Sequence, residues 1–192
     1  TPMPVDFGDL DWHDYVDCLR LEITCGEAPF ICSRYDTVTG GLLPVESRIG
    51  FLDRKLRVVS ENTDDYLMWR KYAYRALEST YGYEYQGDNL LVARINVLET
   101  FAEHMNSQWG KEPDLREIQH AANIIVWNLW QMDGFTDTPP SKPVSKEIED
   151  GFVSALFGDE TEERPQSCMI YDWRKRRPQT FASLKRDKGV VA

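Results

Sequence analysis

The spacing of apolar residues predicts alternating strands and helices along the first two thirds of the chain. The apolar run over 19–24 predicts a buried strand, and residues 81–85 predict a second strand. The residues just before Asp133 are candidates for a third strand. Between the first two strands, the segment 33–62 is rich in turns and then strand-like over 48–52 and 55–59.

Helical periodicity marks the intervening segments. A short amphipathic helix is predicted over 6–17 and a longer helix over 64–80. Asp88 is a candidate N-cap for a helix whose apolar positions recur at intervals of four and three: Leu91, Ile95, Leu98, Ala102 and Met105. Pro113 and Asp114 open a further helix, which ends before Gly134.

The last third of the chain has a weaker pattern. Residues 136–165 combine four prolines with a run of acidic residues, which predicts a linker followed by an acidic surface loop. Residues 169–173 predict a short strand, and 180–184 predict a final apolar turn. We find no internal repeats.

Size and composition favour one α/β domain. The chain has 192 residues, of which 42% are hydrophobic and 12% aromatic, enough for one domain over residues 1–192 with a substantial core. No apolar run approaches the roughly 20 residues that span a bilayer, so we expect a protein of the cytoplasm with no membrane partner. Since the chain begins with Thr1, it is expected to be a domain or a fragment.

Charge and metal-binding residue types restrict the chemistry. The four cysteines are scattered and predicted to be reduced, and the three histidines are isolated, so no metal site is predicted. The formal net charge of −10 argues against simple DNA binding. However, the segment 174–188 holds seven basic residues against one acidic residue, and this basic tail is a candidate DNA contact.

Two stretches carry the most specific signal. In Leu21–Phe30, an apolar strand runs into a tight turn at Gly26, where a ligand can approach the backbone. In Tyr81–Asn96, a strand ends in the carboxylate of Glu84 and is followed by a helix. In this order the two stretches resemble the adenine-specific DNA methyltransferases of restriction-modification systems, in particular their modification subunits. The resemblance covers most of residues 19–134.

The resemblance implies a Rossmann-like domain that binds S-adenosylmethionine, with residues 19–134 as its core. Gly26 and Glu84 lie much further apart than the roughly 20 residues of an ordinary Rossmann unit, so 33–80 is interpreted as an insertion. The implied cofactor-binding residues fall into three groups: Glu22, Thr24, Cys25, Gly26, Glu27 and Phe30 for the methionine part, Glu84 and Tyr85 for the ribose, and Asp133 and Gly134 for the adenine. Trp130, Met132 and Phe135 are candidate walls for the adenine ring.

The catalytic motif of that family is not found in this chain. The family places Asn, Asp or Ser before Pro-Pro-Tyr or a related sequence, which holds the target amine and stacks on a flipped base. The Pro139–Pro140 pair lacks both the polar residue and the ring, so no catalytic residue is assigned. The resemblance therefore implies that catalysis and most DNA contacts lie in other segments, with a restriction or specificity subunit as a candidate partner.

Two other interpretations remain open from the sequence. A methyltransferase that acts on a small molecule or a protein would keep the cofactor site and explain the acidic surface. An acidic, aromatic-rich protein without enzymatic activity would act as a mimic of DNA or as a scaffold.

Overall fold

The computed structural model describes residues 6, 8–140 and 167–187. Three parallel strands form the central sheet in the order β1 (Arg20–Ile23), β2 (Thr80–Glu84) and β3 (Leu129–Gln131). Their register pairs Ile23 with Tyr83, and Tyr83 with Trp130. The predicted mixed α/β architecture is confirmed, and the carboxyl ends of all three strands lie at one edge of the sheet.

One helix precedes these strands and four connect them, and several begin at polar caps. They are α1 (Trp12–Asp17), α2 (Phe51–Asn62), α3 (Tyr66–Glu78), α4 (Gly87–Trp109) and α5 (Leu115–Asn128), with a 3₁₀ turn at Val45–Ser47. Asp65 caps α3 by accepting the Met68 N–H, and Asp114 and Glu117 form a capping box at the start of α5.

The prediction of strands over 48–52 and 55–59 is wrong. Residues 48–50 lead into α2, and residues 51–59 belong to it. Leu52, Leu56 and Val59 recur at helical spacing and are fully buried in the main core. The paired valines suggest a strand locally, but packing of this face against α3 and α4 decides the conformation. The segment 33–80, interpreted as an insertion, thus contains the crossover helices that any parallel β1–β2 pair requires.

Helix α4 is confirmed, but its start and its buried face differ from the prediction. Gln86 is the N-cap residue, and Asp88 lies in the first turn. The buried face runs through Leu90, Val97 and Phe101, whereas Leu91 and Ile95 are exposed. The helix carries apolar residues on two adjacent faces, and the sequence pattern alone does not distinguish the face that packs on the sheet.

Strand β1 is present but is not buried, which corrects the predicted buried strand. Among the described residues, no strand pairs with its outer edge, and nothing covers Leu21 and Ile23, which are exposed on the sheet face opposite the crossover helices. Over β2 and β3 the same face is covered by Tyr83 and Trp130 packing against the carboxyl-terminal part of the described chain.

That covering part is a hairpin and a helix: β4 (Met169–Asp172), β5 (Arg177–Thr180) and α6 (Phe181–Asp187). The strand predicted at 169–173 is confirmed, and the final apolar turn is the start of α6. Cys168, Ile170 and Phe181 form a second buried cluster with Tyr83, Trp130 and Met132, separate from the main core between the sheet and the five helices. Among the described residues, no helix combines the length and apolar character needed to cross a bilayer.

Candidate functional site

The chain after β1 forms a tight, left-handed turn at the carboxyl edge of the sheet. Thr24, Gly26 and Ala28 all have positive φ angles, of 51°, 53° and 68°. A Cβ atom at Gly26 would meet nothing within 4 Å, so glycine is used there for its conformation and the turn faces open space. Cys25 lies on the other side, buried, and its N–H donates to the Tyr83 carbonyl (2.9 Å).

Glu84 joins this turn to the next strand end. The Gly26 N–H donates to Glu84 Oε2 (2.9 Å), and the Gln86 N–H at the start of α4 donates to Oε1 (3.0 Å). Glu84 is only 7% exposed, and two backbone donors from different loops fix the position of its carboxylate. Each carboxylate oxygen has a second lone pair, so the group keeps acceptor capacity beyond these two bonds.

A polar network behind the turn holds its backbone in place, and sequence reasoning missed it. Asn96 in α4 donates from Nδ2 to the Glu27 carbonyl (2.9 Å) and accepts from Arg34 (3.1 Å). Arg34 also forms a bidentate pair with Glu103 (2.7 and 3.1 Å), to which Arg48 donates as well. The signal available in the sequence is the polar Asn96 beside the apolar positions that pack in the core.

The charges in this network are stabilised by their partners. Burial opposes ionisation of Glu103, but hydrogen bonds from Arg34 and Arg48 outweigh it and hold the pKa of that carboxyl below its usual value. The resulting ionic cluster lies next to the turn and ties it to α4, so that the Glu27 backbone is positioned by a rigid element.

The end of β3 contributes a third loop. Asp133 accepts the Phe135 N–H (2.9 Å) through Oδ1, and its own N–H donates to the Thr138 carbonyl (2.9 Å), which closes a turn. A Cβ atom at Gly134 would lie 2.9 Å from the Tyr83 hydroxyl, so a larger residue there would require the Tyr83 side chain to shift. The structure gives no direct contact between Asp133 and Glu84.

The candidate walls of an adenine pocket are divided between core and surface. Trp130 and Met132 are buried in the second core cluster, and the Trp130 indole N–H points to the Met132 sulfur (3.3 Å). They are therefore not available to sandwich a ring at the surface. Phe135 is fully exposed, and Tyr85, which follows Glu84, is half-exposed.

The remaining candidates lie at or near the same edge. Glu27 is exposed in the turn, and Phe30 is 71% exposed just beyond it. Glu22 lies within β1 rather than at its end, half-buried opposite Gly82, and burial raises the pKa of its carboxyl. Of the ten residues, Gly26 and Glu84 are the pair that a hydrogen bond brings together across two strands.

Cys25 does not provide a nucleophile. Burial and, to a smaller extent, the negative charge of Glu84 raise the pKa of its thiol to about 12, so it stays protonated at neutral pH. No group of three or more His, Cys, Asp or Glu side chains in the described ranges is placed to hold a metal ion.

The predictions for the last third of the chain fall partly outside the described residues. This applies to residues 141–165 of the linker and acidic loop, and to the end of the basic tail. Within the described part of that tail, Arg174 pairs with Asp17 (2.6 Å) and Lys175 with Asp172 (3.6 Å), whereas Arg176 and Arg177 are exposed. Comparison of this chain with protein families, curated proteins and solved structures finds no match.

Proposed function

We propose that this chain is the S-adenosylmethionine-binding part of a DNA adenine methyltransferase from a restriction-modification system, built on a Rossmann-like fold. The observation that carries the proposal is the hydrogen bond from the Gly26 N–H to Glu84 Oε2 at the carboxyl edge of a parallel sheet. Ligands of open parallel α/β sheets bind at this edge. The two stretches that resemble the family thus meet where a nucleoside ligand binds in such folds.

The residues at this edge fit the cofactor at two of its three parts. The open backbone face at Gly26 suits the methionine part, and the free lone pairs of Glu84 suit the two ribose hydroxyls. For the adenine, Asp133 and Gly134 are assigned with Phe135 and Tyr85 as the exposed rings beside them, in place of the buried Trp130 and Met132. S-adenosylmethionine supplies an electrophilic methyl group on a sulfonium centre.

The role of this chain's own residues is to bind and orient that donor. Asn96 fixes the Glu27 carbonyl, and Glu84 fixes the Gly26 N–H, so the turn is organised before a ligand arrives. Preorganisation of this kind is how a protein lowers the barrier of a group transfer without a catalytic side chain of its own. The segment that holds the target adenine, and a restriction or specificity subunit that selects the DNA sequence, complete the proposed enzyme.

Calorimetric titration with S-adenosylmethionine, and with its demethylated product, tests the proposal. We expect saturable binding that Glu84→Ala weakens tenfold or more, about 1.4 kcal/mol. Glu61→Ala is the matched control, because Glu61 is a half-exposed carboxylate on α2 with one ion pair to Arg57. Saturable binding that Glu84→Ala and Glu61→Ala affect equally would reject the assigned site.

A second titration separates a ribose contact from an effect on the turn. If Glu84 accepts the ribose hydroxyls, the native chain binds a deoxyribose analogue of the product more weakly than it binds the product. Glu84→Ala then binds the analogue and the product with equal affinity. An equal loss for the analogue with both proteins would mean that Glu84 acts only on the turn. No binding by a folded native chain would contradict the proposal and favour a scaffold without enzymatic activity.

A further inference from the structure

A basic groove of about 520 Å³ lies along the outer surface of α3. Four cationic side chains line it: Arg70, Lys71 and Arg75 from α3, and Arg176 from the turn between β4 and β5. Among the described residues that line it, Glu78 is the one acidic side chain. In a chain with a formal net charge of −10, this concentration of positive charge stands out.

Two of the four cations are already neutralised by protein partners. Arg70 pairs with the buried Glu117 (2.9 Å), and Arg75 pairs with Glu78 (2.9 Å). Lys71 and Arg176 are exposed, and no ion pair involves them among the described side chains. These two charges are therefore free to neutralise an external anion.

Aromatic side chains line the same groove. The Lys71 ammonium lies 5.1 Å from the centre of the Tyr72 ring, and the exposed His120 ring packs edge-on against Tyr74 at 4.4 Å. Tyr72 and Tyr74 are partly exposed, and His120 is exposed. Free cations next to exposed or partly exposed rings are the combination that binds single-stranded nucleic acids, since phosphates pair with the cations and unstacked bases pack on the rings. From Leu67 to Glu78 the groove follows α3 for roughly 16 Å.

We propose that this groove binds a single-stranded segment of nucleic acid through Lys71 and Arg176. Its axis follows α3 toward the amino end of β2, away from the carboxyl edge where the candidate cofactor site lies, so it is an additional contact rather than the place of methyl transfer. That the bound nucleic acid is DNA rests on the proposed function, and the groove is the surface of this chain that would contact it.

Fluorescence anisotropy with a labelled thymidine oligonucleotide of about 12 nucleotides, at low salt and without cofactor, tests this inference. Lys71→Glu and Arg176→Glu should each weaken binding about fivefold or more, and each should reduce the slope of log K against log salt by about 0.7. Arg54→Glu is the matched control, because Arg54 is exposed on α2 outside the groove and its substitution changes the charge by the same amount. It should alter the affinity less than about twofold.

Three results would overturn the inference: no binding by the native chain at low salt, an equal loss in Arg54→Glu, or equal affinity for the duplex of the same length. If a charge reversal lowers the thermal midpoint, Lys71→Gln and Arg176→Gln replace it, with Arg54→Gln as their control. The assay contains no S-adenosylmethionine, so its failure leaves the cofactor titration unaffected. Likewise, oligonucleotide binding by a chain that binds no cofactor would contradict the proposed function alone.

Discussion

At the residue scale, one carboxylate links the two halves of the candidate site. Glu84 accepts hydrogen bonds from the N–H groups of Gly26, in the turn after β1, and of Gln86, at the start of α4. Gly26 lies 58 residues from Glu84 in the sequence, and Gln86 lies two residues from it. Its identity and its position at a strand end follow from the sequence. Its hydrogen bond to Gly26 does not, because that bond depends on β1 and β2 being neighbours in the sheet.

Ala28 gives the first prediction, because it is a buried alanine in a left-handed conformation with φ of 68°. Ala28→Gly removes a steric cost of roughly 1–2 kcal/mol, which offsets the lost methyl burial and the greater freedom of the unfolded chain. We expect the free energy of unfolding to change by less than about 1 kcal/mol in urea titration.

The same substitution in a helix is the control. Ala73 is equally buried but lies within α3, where glycine loses the methyl group and adds a helix penalty of about 1 kcal/mol. Ala73→Gly should therefore be the more destabilising of the two by about 1 kcal/mol or more. Equal losses would show that Ala28 is not strained in solution.

At the element scale, a buried lysine connects α2 with the ends of α1 and α3. Lys55 is fully buried, and its ammonium donates to the Cys18 carbonyl (2.6 Å), the Ser79 carbonyl (3.2 Å) and the Ser79 hydroxyl (2.6 Å). Burial, with a smaller contribution from the nearby charge of Arg20, lowers its pKa to about 7. Three other groups also act on it: Cys18 and Asp17 in the opposite direction, and Arg174 in the same direction as Arg20.

This lysine gives a pH-dependent prediction. Above about pH 7 the folded chain holds Lys55 neutral, whereas the unfolded chain keeps the proton until about pH 10.4, so Lys55 makes the folded state more stable as pH rises between these values. The gain is at most about 1.4 kcal/mol per pH unit. We expect the unfolding free energy of the native chain to rise relative to that of Lys55→Met from pH 7 to pH 10.

The comparison with Lys55→Met is needed because other groups titrate in the same range. The buried thiols of Cys25 and Cys32 have their pKa raised to about 12, and they oppose the effect by destabilising the folded state above about pH 8.5. Subtracting the variant cancels their contribution. A difference that stays constant with pH would mean that Lys55 remains charged in the folded protein.

Helix and strand positions were predictable where local signals agree, and were mispredicted where tertiary contacts decide. The helix start at Asp114 and the strand ending in Glu84 depend on local signals, and both occur where the pattern indicates. Residues 55–59 contain paired valines typical of a strand, yet they form α2 because its buried face packs against α3 and α4. Likewise, the supporting network of Asn96 and Arg34 depends on long-range packing that the sequence does not reveal.

Strand β1 gives a prediction that separates pattern from structure. Ile23 belongs to an apolar run but is 60% exposed, so Ile23→Thr should change the free energy of unfolding by less than about 0.5 kcal/mol. Ile124 in α5 is fully buried, and Ile124→Thr should cost about 2 kcal/mol or more, because it leaves a cavity and a buried hydroxyl. Chemical denaturation of both variants is the measurement, and comparable losses would show that the face of β1 is covered in solution.

At the scale of the whole molecule, the described residues form two hydrophobic clusters of unequal size on the two faces of one small sheet. The main core lies under α1 to α5, and the second lies under the β4–β5 hairpin and α6. The hairpin side has the smaller cluster, and polar contacts supplement it: the Trp173 indole N–H donates to Asn128 (2.7 Å), the Tyr81 hydroxyl donates to the Tyr171 carbonyl (3.0 Å), and Arg174 at the exposed turn pairs with Asp17 (2.6 Å). The hairpin is therefore expected to open at a lower free energy than the main core.

Phe181→Ala tests this division, because Phe181 is buried at the centre of the second cluster against Tyr83 and Trp130. Its removal should abolish protection from amide hydrogen exchange in β4 and β5 while α2 to α5 stay protected. Phe101→Ala, the same change in the main core, should lower protection throughout by about 3–5 kcal/mol. If Phe181→Ala instead lowers protection in all elements equally, the two clusters unfold as one unit, and the candidate site on the far ends of β1 and β2 depends on the hairpin for its stability.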